Sequence, residues 1–225
     1  MAAMTRLLIV SDIHGALGKA KRLEDVSRDV TVVAGDIAEC GSVEEAVEIL
    51  ETLASQGGEL VWVPGNCDSP KLLEAEAPGV NVHGRAASVE GLVFAGAGGS
   101  IYTPFNTPFE YDDATLEKLV SQALSQAPEG SPVVLVVHTP PHSSGLDRVA
   151  GGEYVGSRAL RRILAAEAGR LLLLATGHIH ESWGVASVEG VAAVNPGPLN
   201  AGRYALAEYD PEAGVLRVRL AKLSG

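Results

Sequence analysis

The sequence predicts an α/β (α+β) chain and fits two mixed β-sheets packed face to face, with helices on the outer faces. Three observations carry this. The first part of the chain, to about residue 80, alternates strand-like and helix-like periods, a βαβαβ pattern that implies parallel strands. Five apolar runs, Leu7 to Val10, Thr31 to Ala34, Leu60 to Val63, Val133 to Val137 and Leu171 to Ala175, read as buried strands. From Trp183 onward the pattern becomes a meander of strands separated by turns.

The elements follow in order. A strand over Arg6 to Ser11 leads to a helix-like stretch, Leu17 to Arg28, and a second strand, Val30 to Ala34. A helix over Ser42 to Ser55 has Ser42 as N-cap and Glu45 three residues on, the spacing of a capping box. Gly57-Gly58 ends it, and Glu59 to Val63 is a strand stopped by Pro64-Gly65. Val80 to Ala97 reads as short strands with Gly turns. Amphipathic helices are expected over Ala114 to Ala127 and Ser157 to Ala168, with strands at Val133 to Val137 and Leu171 to Thr176. The meander comprises Gly184 to Val188, Val191 to Asn195, Arg203 to Tyr209 and Leu216 to Ala221. No linker or internal repeat divides the chain, so residues 1–225 read as one domain. Gly98 to Asp113 is an irregular loop holding Tyr102, Phe105, Phe109 and Tyr111, in a chain with only 4% aromatic residues. A loop of this kind is either a binding wall or a surface segment pinned by buried rings.

Composition narrows the function. Hydrophobic residues make up 46% of the chain, enough for a large core. No run is long and apolar enough to span a membrane, and the N-terminus leads into the first strand without a signal-peptide pattern. Cys40 and Cys67 form no disulfide framework and read as free thiols in a reducing cytoplasm. The net charge of −11 and the lack of a basic stripe argue against nucleic-acid binding. Acidity does not exclude a small phosphate ester, because bound dications dominate the local field. Nothing in the sequence decides for or against a homo-oligomer.

Each apolar run is followed by metal-binding side chains: Asp12-Ile-His14, Gly35-Asp36, Gly65-Asn66-Cys67-Asp68, His138, and Gly177-His178-Ile-His180. Groups just past strand C-termini converge on one crevice. Taken singly, each has a plainer reading. An Asp or Asn after a strand is usually a turn former or cap, and a lone His is more often hydrogen-bonded than metal-bound. Five ordered elements, each behind a strand-like run, change that balance. Asp12 and His14 are two apart, so on an extended strand they share a side. Glycine before Asp36, Asn66 and His178 lets the backbone turn sharply.

In order and type, these clusters resemble the motifs D-x-H, GD, GN-H-D/E, a lone His and G-H-x-H of the calcineurin-like metallophosphoesterases. Asn195-Pro-Gly197 is similar to the last turn of that family. The resemblance implies a four-layer sandwich and two divalent metal ions. Asp12, His14 and His180 would hold one ion, Asn66, His138 and His178 the other, and Asp36 would bridge them. Mixed nitrogen and oxygen donors suit Mn, Fe, Zn, Co or Ni rather than Ca. Two such ions would share a water and lower its pKa toward 7, supplying the nucleophile for in-line attack on phosphorus. No Ser or Cys nucleophile is needed, and the sequence has no Gly-x-Ser-x-Gly.

Cys67 departs from the family pattern, which usually has His there. The resemblance is to the bacterial and archaeal phosphodiesterase-like branch with Cys at this position. Cys67 and the following Asp68 are the candidates for leaving-group protonation. Cys67 as a small packing residue and Asp68 as a cap or support are the plainer alternatives. His142, four residues after His138, is a candidate to hold substrate phosphate, whereas His83 reads as structural or exposed. The expected function is a metal-dependent phosphodiesterase of small or nucleotide-like esters. A phosphomonoesterase or protein phosphatase on the same site, and a non-catalytic scaffold of the same fold, are the alternatives. The full ligand set argues against the scaffold.

Overall fold

A computed structural model describes residues 4–39 and 41–224; Cys40 and Met1 to Ala3 lie outside them. In chain order the first elements are β1 (Thr5–Val10), α1 (Leu17–Lys21), β2 (Val30–Ala34), α2 (Val43–Ser55) and β3 (Glu59–Val63). Next come β4 (Val80–Asn81), β5 (Ala86–Val89), β6 (Leu92–Ala97), β7 (Ser100–Ile101), β8 (Glu110–Tyr111) and α3 (Asp113–Ser125). The remainder is β9 (Val133–Val137), α4 (Arg158–Glu167), β10 (Leu171–Ala175), β11 (Gly184–Val188), β12 (Val191–Asn195), β13 (Arg203–Asp210) and β14 (Val215–Lys222).

Two six-stranded mixed sheets form, in the orders β14-β13-β1-β2-β3-β4 and β11-β12-β10-β9-β6-β5. β1 to β4 run parallel, as do β6, β9, β10 and β12. Antiparallel strands flank them: β13 and β14 in the first sheet, β5 and β11 in the second. The two-residue period of a strand explains the layering. Leu7 and Ile9 of β1 face Val134, Val136 and Leu173 in a core between the sheets. Leu8 and Val10 face outward to a second core under α1 and α2. Val133, Leu135 and Val137 of β9 face the opposite way, under α3 and α4. The result is the expected sandwich of helices, sheet, sheet and helices, and the central strands are apolar on both faces because both are covered.

The helices start at side-chain caps. Ser42, Asp112 and Ser157 accept the backbone N–H groups of Glu45, Thr115 and Leu160, each satisfying a donor with no partner inside its helix. The capping box at α2 is half formed: the Glu45 carboxylate turns away from Ser42 and accepts from the backbone N–H of Glu39, at 2.8 Å. On α2, Ala46, Ile49, Leu50 and Leu53 make the buried stripe.

Three expectations change. The helix expected over Leu17 to Arg28 stops at Lys21. Beyond it, the Arg28 guanidinium donates to the carbonyls of Leu23 and Val26 at 2.6 and 2.7 Å, holding the segment as turns. The meander after Trp183 is instead two hairpins in different sheets: β11-β12 belong to the second and β13-β14 to the first. Asn195 ends β12, its amide oxygen accepting from the N–H of Gly197 and its amide nitrogen donating to the Ile179 carbonyl. The chain then crosses to the end of β1, where the Leu199 N–H donates to the Ser11 carbonyl. The loop Gly98 to Asp113 contains the short parallel pair β7-β8. Phe109 and Tyr111 pin it, edge to face with centroids 5.9 Å apart, while Tyr102 and Phe105 stand 70% and 80% exposed.

Candidate metal centre

The polar clusters follow the C-terminal ends of β1, β2, β3, β9 and β10, which come from both sheets. The local backbone there is unusual. Asp12, His14, Asp36 and His178 have φ of 53°, 45°, 52° and 70°, a left-handed region that non-glycine residues seldom adopt. Asp12 and His14 therefore meet through left-handed turns beyond β1, not through the alternation of an extended strand. The glycines before the ligands act mainly by close approach. A Cβ on Gly65 would lie 2.1 Å from the Asp36 nitrogen, and one on Gly177 would lie 1.8 Å from the Ser11 hydroxyl. Gly35 alone of the three has positive φ, +94°, and its Cβ would meet the His138 ring at 2.5 Å.

Asp12, His14 and His180 form one group, with ligand atoms mutually within 4.8 Å. His14 Nε2 and His180 Nε2 are 3.2 Å apart, and His180 Nε2 is 3.3 Å from Asp12 Oδ1. On the other side, His138 Nε2 is 3.0 Å from Asn66 Oδ1, and the His138 and His178 rings stand edge to face at 5.1 Å. Asp36 lies between: its Oδ2 is 3.7 Å from His14 Nε2 and 3.4 Å from His138 Nε2. The His178 backbone N–H donates to Asp12, tying β10 to β1. All seven sequence-predicted side chains thus belong to one connected cluster.

The donor set fits cations. His138 Nδ1 lies 2.7 Å from the Ala34 carbonyl oxygen, which places the ring proton there. His138 Nε2, Asn66 Oδ1 and Asp36 Oδ2 are then three lone-pair groups facing one another. Such a group needs a proton or a metal among them. The electrostatics agree. Burial works to raise the Asp36 carboxyl, but charged His138 holds it far below the usual range. Burial likewise opposes ionisation of Asp12, and its bond to His180 overcomes this. Burial works against charge on His138, yet Asp36 and Asp12 bring it up to about 9. His178, with burial and then His138 acting against its charge, falls to about 4.

Cys67 and Asp68 sit at the edge of this cluster. The Cys67 N–H donates to Asp36 Oδ1 at 2.8 Å, and its sulfur lies within 4.8 Å of ligand atoms of His14 and Asp36. Burial, then the Asp36 carboxylate, pushes the thiol well above its usual range. That sulfur is a potential soft donor to a metal, a role not expected from the sequence. Asp68 is fully buried and accepts from the N–H groups of Ile37, Ala38 and Gly65. Burial and neighbouring Asp36 raise it to about 7 against those bonds. His142 lies outside the cluster, its Nδ1 paired with the Ser143 hydroxyl at 2.8 Å and its ring 6.2 Å from that of Tyr154. His83 is structural: its Nδ1 accepts from the Gly98 N–H at 2.9 Å.

Some supporting residues escaped the sequence. Ser11 donates to the Ala34 carbonyl and Thr176 to that of His138, and each directly precedes part of a motif. Thr107 touches Asn66 from 41 residues away with no motif around it.

A family model described as calcineurin-like phosphoesterase matches residues 5–182. The uncharacterized protein MJ1162 of Methanocaldococcus jannaschii is 34% identical over 203 residues, covering 88% of this chain and 90% of that protein. This chain belongs to the calcineurin-like phosphoesterases, and it is a metal-dependent hydrolase acting on phosphoester bonds. The protein TT1561 of Thermus thermophilus superposes with a TM-score of 0.74 at 18% identity, covering 99% of this chain and 100% of that one. A dimetal phosphatase of Danio rerio gives 0.61 at 11% identity, with 98% and 99% covered. At these identities the two structures are similar to this chain in fold. Among the described residues no helix is long and apolar enough to cross a membrane.

Proposed function

We propose that the protein is a cytoplasmic two-metal phosphodiesterase of small or nucleotide-like esters, from the branch that carries Cys after the GN motif. The observation that carries this reading is the convergence of seven donor side chains with a thiol, not an imidazole, beside them. Asp12, His14 and His180 take one ion, Asn66, His138 and His178 the other, and Asp36 reaches both. Mixed nitrogen and oxygen donors favour Mn, Fe, Zn, Co or Ni. Two bound dications supply Lewis acidity and an activated water.

The chain's own residues supply position and proton control. The Ala34 carbonyl fixes the His138 tautomer so that Nε2 faces the cage. Asp68 splints the turns of Ile37 and Gly65, and so positions Asp36 and Asn66. Cys67, whose sulfur lies within 4.8 Å of ligand atoms of His14 and Asp36, is the candidate proton donor to the leaving group. In the metal-free protein burial and the Asp36 carboxylate hold its thiol protonated, and a thiol is in any case a weaker acid than an imidazolium, which favours esters whose leaving group needs little help. None of the five motifs contains an Arg to grip a dianionic monoester. His142, with its Nδ1 occupied by Ser143, has Nε2 for a substrate phosphate oxygen.

The test is metal analysis of the purified protein, followed by rates on bis- and mono-p-nitrophenyl phosphate with each metal. Two ions per chain and a preference for the diester are expected. Faster hydrolysis of the monoester would overturn the diesterase assignment, and failure to bind metal would overturn the two-ion site.

A further inference from the structure

The Asn66 amide is held from behind by a relay in the aromatic loop. Asn66 Nδ2 lies 3.0 Å from Thr107 Oγ1, and the Thr107 hydroxyl bonds in turn to Glu110 Oε1. Glu110 is fixed independently. Oε1 also accepts from the Thr107 N–H at 2.9 Å and from the Thr103 hydroxyl at 2.6 Å, and Oε2 from the Thr103 N–H at 3.2 Å. Burial works to raise this carboxyl, but the bonds from Thr103 and Thr107 hold it below its usual range, so it is ionised.

The direction of these bonds is determined by hydrogen count. An ionised carboxylate only accepts. The Thr107 hydroxyl has one hydrogen, and Glu110 takes it. Toward Asn66, Thr107 can therefore only accept, and the Asn66 group facing it must be the NH2. The carbonyl Oδ1 is then turned to the other side, 3.0 Å from His138 Nε2, where it would face a cation held by His138 and His178. Without the relay Nδ2 keeps only its long contact to the Cys67 sulfur, at 3.6 Å, a weak hold against rotation that would present hydrogens to the cage. The loop is also tied to the Asn66 backbone, through the Phe109 N–H and the Asn66 carbonyl at 3.0 Å.

We infer that Thr107, oriented by Glu110, is a positioning residue that sets the Asn66 amide oxygen toward the metal held with His138 and His178. This rests on Asn66 being a ligand, as proposed above. It also connects the loop bearing exposed Tyr102 and Phe105 to one half of the cage. By linkage, whatever orders one favours the other.

The test is titration calorimetry of metal-free protein with Mn2+, alongside metal content after dialysis at fixed free Mn2+. Removing a group that orients a metal ligand typically costs about 10- to 100-fold in affinity. Thr107→Val is expected to weaken one of the two sites by about that factor and leave the other within about threefold. Thr107→Ser keeps the hydroxyl and is expected to restore the weakened site. Thr107→Ala adds no bulk at this half-buried position and replaces Thr107→Val if that variant does not fold. Unchanged affinity at both sites in Thr107→Val or Thr107→Ala overturns the inference while leaving the two-metal reading standing. So does equal weakening of both sites, or no recovery in Thr107→Ser. Wild-type protein that binds no Mn2+ would instead remove the two-metal reading itself.

Discussion

His14 Nε2 and His180 Nε2 face each other at 3.2 Å, although 166 residues separate them in the chain. Asp12 Oδ1 is 3.3 Å from the second of these nitrogens and Asp36 Oδ2 is 3.7 Å from the first. Two imidazole nitrogens and two carboxylate oxygens share a small, largely buried volume. Without a cation, lone pairs oppose lone pairs and like charges oppose each other. Filling the cage should therefore couple directly to folding.

Stripping metal with a chelator should lower the melting temperature. A ligand present at 100 times its Kd stabilises by about 2.7 kcal/mol per site. For a chain of this size each kcal/mol is worth about 2–4 °C, so each occupied site should contribute about 5–10 °C. Calorimetric scans with and without chelator at neutral pH measure this. A difference under about 2 °C would mean that the cage is not a tight site.

Asp36→Ala and His178→Ala should each reduce hydrolysis by much more than tenfold, or more than about 1.4 kcal/mol of barrier. Far-ultraviolet circular dichroism should stay near wild type, since the cores under the helices and between the sheets do not include these side chains. Asp36→Ala should be the more damaging, because it also removes the acceptor for the Cys67 N–H. Rates at saturating metal and metal content together decide the matter. Activity within tenfold of wild type in either variant would exclude its residue from the chemistry.

The parts legible in the sequence were those set by local pattern. Five apolar runs ended in polar clusters, and each of those clusters contributes to the site. The two-sheet layering fitted the order of elements and was implied by the resemblance of the motifs to the family, while the strand period explains how each strand serves two cores. Other features depended on contacts distant in sequence. Helix α1 is short because Arg28 captures the carbonyls of Leu23 and Val26. The last four strands divide between two sheets because Asn195 and Pro198 dock at Ile179 and Ser11. The support from Thr107 to Asn66 is a packing result across 41 residues. The left-handed backbone at Asp12, His14, Asp36 and His178 runs against the preference of those residues, so local propensity could not have revealed it.

His83 should give the protein an acid-sensitive limb separate from the cage. Burial, then nearby Arg85, pushes its pKa from 6.5 to about 4, and in the fold Nδ1 is unprotonated to accept from the Gly98 N–H. The folded state therefore favours neutral His83. That stability is complete above about pH 6.5 and is lost as pH falls toward 4, by up to about 3 kcal/mol over the window. His83→Asn keeps an acceptor without the titration. Urea unfolding of metal-free wild type and His83→Asn between pH 7 and 4 should show the variant losing less stability. Parallel loss in both would assign the acid limb to other groups.

The last prediction separates a proton-donating Cys67 from a merely adjacent one. In the metal-free protein its thiol is held up by burial and by Asp36, and a thiol has a reference pKa of about 8.5. An imidazolium, with a reference pKa near 6.5, is a stronger acid. In Cys67→His, an alkyl phosphodiester with a poor leaving group should gain rate, by part of the roughly 10²–10⁴-fold typical of general acid catalysis. Bis-p-nitrophenyl phosphate should barely respond, since nitrophenolate departs without a proton. Both rates must be taken at matched metal content, because the sulfur lies within 4.8 Å of ligand atoms of His14 and Asp36 and its loss can change metal affinity. Equal responses on the two esters would show that position 67 transfers no proton. Cys67 would then act through its sulfur on the metal, and the origin of diester preference would shift to the exposed wall at Tyr102 and Phe105.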